Sequence, residues 1–293
     1  MGNMKVLISI PAYNEEKDIE RVIKEIKTVM NNKYDYSIQL IDDGSTDRTA
    51  EIAKKLGAKV YSHPRNLGLA EAFKTELQKF LESKSDIIVH IDADGQYPAE
   101  YIPKLIEKIK LGNDLVIGSR IIEGRKDLSL IKKWGNKAFS RVVSKIIRYR
   151  ITDAQSGFRA FTKDVARIKI RSFHTYTQEQ IIRAARNKFR ITEIPILTRS
   201  TRRSKLLKNP FEYAIKSWIN LFRIYRDYEP LKFFGLIGLS FLIIGLIFGI
   251  YLISRFLIIG SIGHLPLTIL TMLLLVIGVQ IILFGFLADM RKE

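Results

Sequence analysis

The chain has 293 residues, 48 Lys and Arg against 30 Asp and Glu, and no cysteine. The missing thiols exclude disulfides and thiolate zinc sites, and His63, His90, His174 and His264 are too scattered to pair as ligands and read as structural. Residues 1–118 carry 17 basic against 19 acidic side chains, residues 119–230 carry 27 against 9, and residues 231–293 carry 4 against 2, so the middle third alone accounts for the net +18. Such a third suits nucleic acid or anionic lipid headgroups. Because it leads straight into an apolar C-terminal quarter, the membrane is the expected partner and nucleic acid is not.

In chain order, Val6–Ile10 reads as a buried strand, too short for a signal peptide and ended at once by Pro11-Ala12-Tyr13-Asn14-Glu15. Ile19, Ile23, Ile26 and Met30 then recur at helical spacing. Ser37–Ile41 is a second strand, followed by Asp42-Asp43-Gly44-Ser45-Thr46-Asp47, with Ser45 or Thr46 expected to cap a helix over 48–56. A short strand at Lys59–Tyr61, a helix ending at Leu81 and the apolar strand Asp86–Ile91 continue the alternation, then a helix over 98–111 and a strand over 114–120 carrying Arg120 at its end. Strands alternating with helices predict a mostly parallel α/β sheet, whose ligands bind outside the carboxyl ends of the strands.

Farther on, Trp134, Ala138, Val142, Ile146 and Tyr149 fall at helical spacing among lysines and arginines, as in a helix lying at a membrane interface. The stretch 152–160 is dense in polar groups and is expected to link two helices, while Glu179 stands at the start of a further helix, where it favours the N-terminus. A strand over 190–197 precedes a basic loop with Arg199, Arg202, Arg203 and Lys205, suited to closing over an anion. Phe211, Ile215, Trp218, Phe222 and Tyr225 form an aromatic stripe on a juxtamembrane helix, residues 209–230. Residues 231–254 and 265–288 each exceed the ~20 residues that cross a bilayer, predicting a transmembrane hairpin. Arg255 and His264 lie in its connection, whereas Arg223, Arg226, Lys232, Arg291 and Lys292 flank the other ends, so the soluble part (residues 1–208) and both termini are expected in the cytoplasm.

Chemistry concentrates in three acidic loops after strands, at Asn14-Glu15, Asp42-Asp43 and Asp92-Ala93-Asp94. A parallel sheet brings them to one edge. Asp92 and Asp94, two apart, point the same way, and Gln96 adds an amide oxygen. Carboxylates this close call for a cation between them, and an all-oxygen set suits Mg2+ or Mn2+. Asp42 or Asp43 is suited instead to hydroxyl or base hydrogen bonds.

With Pro11-Ala-Tyr-Asn-Glu15, Asp42-Asp-Gly-Ser-Thr-Asp47, Asp92-Ala-Asp-Gly-Gln96, Gly118-Ser-Arg120 and Ser156-Gly-Phe-Arg159 in order, residues 4–208 resemble the family 2 glycosyltransferases, and among them the polyprenyl-phosphate glycosyltransferases such as dolichol-phosphate mannose synthase. The resemblance implies a GT-A catalytic domain that binds a GDP- or UDP-linked sugar and passes it to dolichyl or undecaprenyl phosphate, inverting the anomeric centre. It places Pro11, Ala12, Tyr13, Asn14, Glu15, Asp42, Asp43, Asp92 and Ala93 at the nucleotide. Gln155, Ser156, Glu179, Arg199 and Lys205 fall at the sugar and diphosphate, Asp92, Asp94 and Gln96 at the metal, and Arg120, Ser129 and Lys133 at the acceptor phosphate. It also allows a homo-oligomer through the hairpin. The glycine-rich stretch ending in tryptophan of the mannose synthases is not recognisable in 121–130, and a single hairpin matches the bacterial undecaprenyl-phosphate enzymes, so both donor classes stay open.

The chemistry of the acceptor points the same way. A phosphate monoester, with a second pKa of ~6, reaches the site ionised and needs no general base. A sugar hydroxyl would need one, and Asp153 is then the first candidate. A processive polysaccharide synthase should show Gln-x-x-Arg-Trp, but Gln180-Ile-Ile-Arg183 is followed by Ala184. A non-catalytic adaptor would leave the acidic loops without a purpose.

Overall fold

The computed structural model describes residues 4–120, 140–147, 149–170, 176–199, 219, 222–261 and 265–290. The chain divides into two units, Met1–Ala214 and Ile215–Glu293. In the first, strand β1 (Lys5–Ala12) leads to helix α1 (Ile19–Met30), β2 (Asp35–Asp42) to α2 (Thr49–Lys55), and β3 (Lys59–Ser62) to α3 (Leu69–Glu82). After β4 (Ile87–His90), a single 3-10 turn (Ala99–Tyr101) enters α4 (Ile102–Lys110), followed by β5 (Leu115–Ser119). Then come β6 (Arg159–Thr162), the short α5 (Lys163–Ala166), α6 (Tyr176–Arg186) and β7 (Ile191–Pro195).

The seven strands form one sheet in the order β3-β2-β1-β4-β6-β5-β7. The pairs β1–β2, β1–β4, β2–β3 and β5–β7 are parallel, and β6 runs antiparallel to both β4 and β5. All four residues of β4 are buried, as a strand covered on both faces requires. The spacing Ile19, Ile23, Ile26, Met30 turns one face of α1 onto the sheet, and all four side chains are fully buried. Each contributes about 1.5–3 kcal/mol over its exposed state.

Strand β6 is the departure from the alternation expected of the sequence, whose polar stretch 152–160 predicts a linker between helices. It is four residues long and opens with a fully buried arginine, so neither length nor pattern announces it. Its direction is decisive for the site. An antiparallel strand begins where its parallel neighbours end, so residues 152–158 arrive at the carboxyl edge beside the ends of β4 and β5.

The second unit holds two helices long and apolar enough to cross a membrane, α7 (Pro230–Ile259) and α8 (Leu265–Met290). Helix α7 runs five residues past Ser254, the end of the expected span, with Arg255 reaching back one turn to the Tyr251 hydroxyl (3.2 Å) and apolar residues after it. It ends at Gly260 in the left-handed region (φ +74°). The two helices meet at glycine: a Cβ on Gly238 would stand 2.6 Å from the Gly278 carbonyl oxygen. Small residues at the crossing are what lets helices pack without a hydrophobic drive between them.

Candidate active site

The first two acidic loops are stitched together by their backbones. Asp43 N–H donates to the Ala12 carbonyl (2.9 Å), Asn14 N–H to Ser45 Oγ (3.0 Å), Glu15 N–H to Thr49 Oγ1 (2.8 Å) and Thr46 N–H to Asn14 Oδ1 (2.8 Å). Asn14 takes a left-handed φ of +55°, which asparagine tolerates. Ser45 is therefore engaged with the neighbouring loop and does not cap α2; Asp47 takes the Thr49 N–H instead (3.0 Å). Pro11 and Ala12 are buried beneath this platform, and the Tyr13 ring stands 45% exposed above it.

Asp42 and Asp43 are both buried. Asp42 Oδ1 accepts the Ser45 N–H (2.9 Å). Asp43 takes the Leu67 and Gly68 N–H groups (2.9 and 2.8 Å), just before α3, and His63 Nδ1 (2.8 Å). Three of about four carboxylate lone pairs are thus used within the fold, leaving little of Asp43 for a nucleotide.

On the third loop the burial alternates. Asp92, Asp94 and Gln96 are half-exposed, while Ala93, Gly95 and Tyr97 are buried, in a turn that passes Gly95 at a φ of +70°. Asp94 Oδ1 accepts the Gln96 N–H (2.9 Å). Among the described residues no group of three or more His, Cys, Asp or Glu could hold a metal alone. Two carboxylates and an amide fit Mg2+ or Mn2+ when a bound diphosphate completes the oxygen shell, the usual arrangement for Mg2+.

Behind this loop, Asp92 Oδ1 lies 3.6 Å from Nε2 of His90, whose Nδ1 meets Glu76 Oε2 at 2.8 Å. Burial alone would depress the His90 pKa, but the Glu76 and Asp92 carboxylates overcome it and raise it to about 9. A side chain at Gly157 would stand 3.2 Å from both Asp92 oxygens, so glycine keeps that side open. The Gly157 N–H donates to the Tyr97 hydroxyl (3.3 Å), and Tyr97 stacks on Phe158 (5.3 Å).

Asp153, considered as a base, is fully buried and holds Arg120: Nε to Oδ2 at 2.7 Å, Nη2 to Oδ1 at 2.9 Å and the Arg120 N–H to Oδ2 at 3.1 Å. Its own N–H donates to Glu193 (3.0 Å), whose carboxyl is pushed up by burial. Ser156 is buried and Gln155 half-buried in the same loop, anchored by Arg159, which donates to the Ser156 carbonyl, the Thr177 carbonyl (3.1 Å) and Gln180 Oε1 (2.9 Å). Glu179 is buried and accepts Arg183 Nε (2.6 Å). Arg199 donates its N–H to the Gln96 carbonyl (3.0 Å), but its guanidinium turns to Glu25 of α1 (2.6 Å) and away from the role of diphosphate clamp. Ser129, Lys133 and Lys205 lie outside the described residues, as do the start of the helix expected from Trp134 and most of the aromatic stripe. Sequence reasoning missed Glu76, His63, His90 and Tyr97, since their partners lie in other elements.

Comparison with known proteins gives this edge its context. The model of the family "Glycosyl transferase family 2" matches residues 7–168, more than half of the chain. A UDP-N-acetylglucosamine–dolichyl-phosphate N-acetylglucosaminyltransferase of Methanococcus voltae is 35% identical over 68% of this chain and 87% of its own length. A dolichol-phosphate mannosyltransferase of Pyrococcus furiosus is 33% identical over 81% of this chain and 69% of its own. Among solved structures, glucosyl-3-phosphoglycerate synthase of Mycobacterium tuberculosis, crystallised with Mn2+, UDP-glucose and phosphoglyceric acid, superposes with a TM-score of 0.58 at 21% identity, covering 75% of this chain and 80% of that one. That likeness establishes the GT-A fold. The chain belongs to glycosyl transferase family 2 and is a glycosyltransferase.

Proposed function

We propose that the chain transfers a hexosyl group from a nucleotide-sugar to the phosphate of a polyprenyl phosphate, with Mg2+ or Mn2+ held by Asp92, Asp94 and Gln96. The observation that carries the acceptor is the commitment of Asp153 to Arg120, which gives that side of the site a cation and occupies the carboxylate that a hydroxyl acceptor would use as its base. An ionised phosphate monoester needs only orientation and screening. Its oxygen forms the bond to the anomeric carbon as the bond from that carbon to the donor diphosphate breaks, the electron pair leaving with the diphosphate; in-line displacement inverts the centre. A bound cation supplies charge neutralisation at the diphosphate.

Arg120 spends two of its five guanidinium donors on Asp153 and offers the others to the acceptor phosphate, with Ser129 and Lys133 as its assigned helpers. Tyr13 stacks on the base, and Pro11, Ala12, Asn14, Glu15, Asp42, Asp43 and Ala93 shape the nucleotide pocket. Gln155, Ser156 and Glu179 border the sugar. Arg199 must leave Glu25 to reach the diphosphate, which Lys205 would share. The relatives named for dolichyl phosphate support the acceptor class, and their differing donors leave the sugar to experiment. The two apolar helices insert as a hairpin, and the positive flanks put the catalytic unit and both termini in the cytoplasm.

The test uses purified protein in detergent with Mn2+, a short polyprenyl phosphate and labelled GDP-mannose, UDP-glucose or UDP-N-acetylglucosamine. Labelled lipid from one donor, lost with chelator and in Asp94→Asn, is the expected result. Donor that is bound or hydrolysed without lipid product would overturn the acceptor assignment and return attention to hydroxyl acceptors and Asp153.

A further inference from the structure

Glu76 and His90 are both fully buried, an arrangement that costs several kcal/mol per ion unless each finds a partner. Glu76 comes from α3 and His90 from the last position of β4, two residues before Asp92. The ring packs against a contacting aromatic pair, Phe73 edge-on at 5.6 Å and Tyr176 at 6.2 Å, and Glu76 fixes its Nδ1 edge at 2.8 Å. Nε2 is thereby aimed at the sheet edge. It is buried without a hydrogen-bond partner, and Asp92 Oδ1 stands 3.6 Å away. A buried orphan nitrogen calls for an explanation. A closure of less than 1 Å would make it a hydrogen bond to Asp92, leaving the other carboxylate oxygen for a cation.

We propose that Glu76 and His90 form a buried relay that fixes the carboxylate of Asp92 for cation binding, making both of them positioning residues for the transfer. The inference rests on the metal-dependent reading above. A purely structural pair has no need to sit here, since well-packed apolar side chains of similar volume would serve the core at least as well. Outer-shell partners of this kind orient ligands, and losing one typically costs about 10–100-fold in metal affinity.

The experiment measures Mn2+ binding by loss of the free-ion EPR signal, with UDP or GDP present, on the full chain in detergent. Glu76→Gln and His90→Gln are each expected to raise the Mn2+ Kd about 10–100-fold, the double variant no further. Phe80→Leu, which loosens the packing of α3 against Phe161 one turn beyond Glu76, should lower the Tm and leave the Kd unchanged. Folded variants with wild-type Mn2+ affinity would overturn the relay alone. Wild-type protein that takes up no Mn2+ with either nucleotide would overturn the metal-dependent reading and the relay with it. Should the polar variants fail to fold, the wild-type imidazole 15N resonances decide: those of His90, assigned by elimination with His63→Gln, His174→Gln and His264→Gln, must shift when Mg2+ and UDP are added together. Unmoved resonances would refute the relay.

Discussion

Replacing Arg120 by methionine would leave Asp153 fully buried and stripped of its bidentate partner. Removing one member of a buried pair costs about 3–5 kcal/mol, because the surviving charge is uncompensated. At about 2–4 °C per kcal/mol for a domain of this size, the Tm should fall by about 10 °C. Asp153→Asn in the same background removes the stranded charge but keeps an oxygen for the Arg120 N–H, which Oδ2 accepts at 3.1 Å. The double variant should therefore recover about half of the loss, a coupling of at least roughly 2 kcal/mol, to which the loss of the Asp153→Asn single variant adds. Thermal unfolding of the four proteins of the cycle in one detergent at pH 7 reads this directly. If the two single losses add to within about 0.5 kcal/mol, the pair is not the coupled unit described here. All three variants should lose lipid transfer to the same degree, since Asp153 acts through Arg120.

Asp43→Ala should cost about 2–4 kcal/mol in a urea titration, because two N–H groups ahead of α3 and one nitrogen of His63 lose their acceptor together. In chelator-treated protein, the His90 pKa of about 9, above its ordinary 6.5, makes its contribution to stability complete below pH ~6.5 and lost as pH rises through about 9. His90→Gln should flatten that slope of Tm against pH, and an unchanged slope would dismiss the assignment. Gly278→Leu should force α7 and α8 apart, since a Cβ there already meets Leu242 at 2.8 Å; faster proteolysis of the hairpin in micelles checks it.

Much of the edge was legible because its residues are local in sequence. Asp92, Asp94 and Gln96 stand half-exposed between buried neighbours in the turn just past β4, and the acidic loops follow strands whose apolar runs are plain. What escaped depends on distance. Asp43 meets His63 across 20 residues, His90 meets Glu76 across 14, and Arg199 finds Glu25 across 174, so no window of sequence displays these pairs. His63 and His90, structural by their sequence pattern, do serve the fold, but each lies beside a carboxylate of the candidate site, Asp43 and Asp92. Strand β6 was hidden for another reason: Arg159 contradicts the apolar signature of a central strand, and its charge is tolerated only because Ser156, Thr177 and Gln180 supply acceptors that come together after folding.

The antiparallel strand also sets an order of events during synthesis. By His90 the chain can assemble β3, β2, β1 and β4 as half a sheet, yet the free side of β4 is meant for β6, whose Arg159 pairs with His90. Nearly 70 residues separate them, a wait of ~4–14 s at ribosomal rates. Throughout it, Ile87-Ile88-Val89-His90 stands as an apolar edge open to any passing strand, the kind of template that invites mispairing. Slowing elongation across 91–158 should therefore lower the yield of soluble catalytic unit, and a chaperone that covers strand edges should restore it.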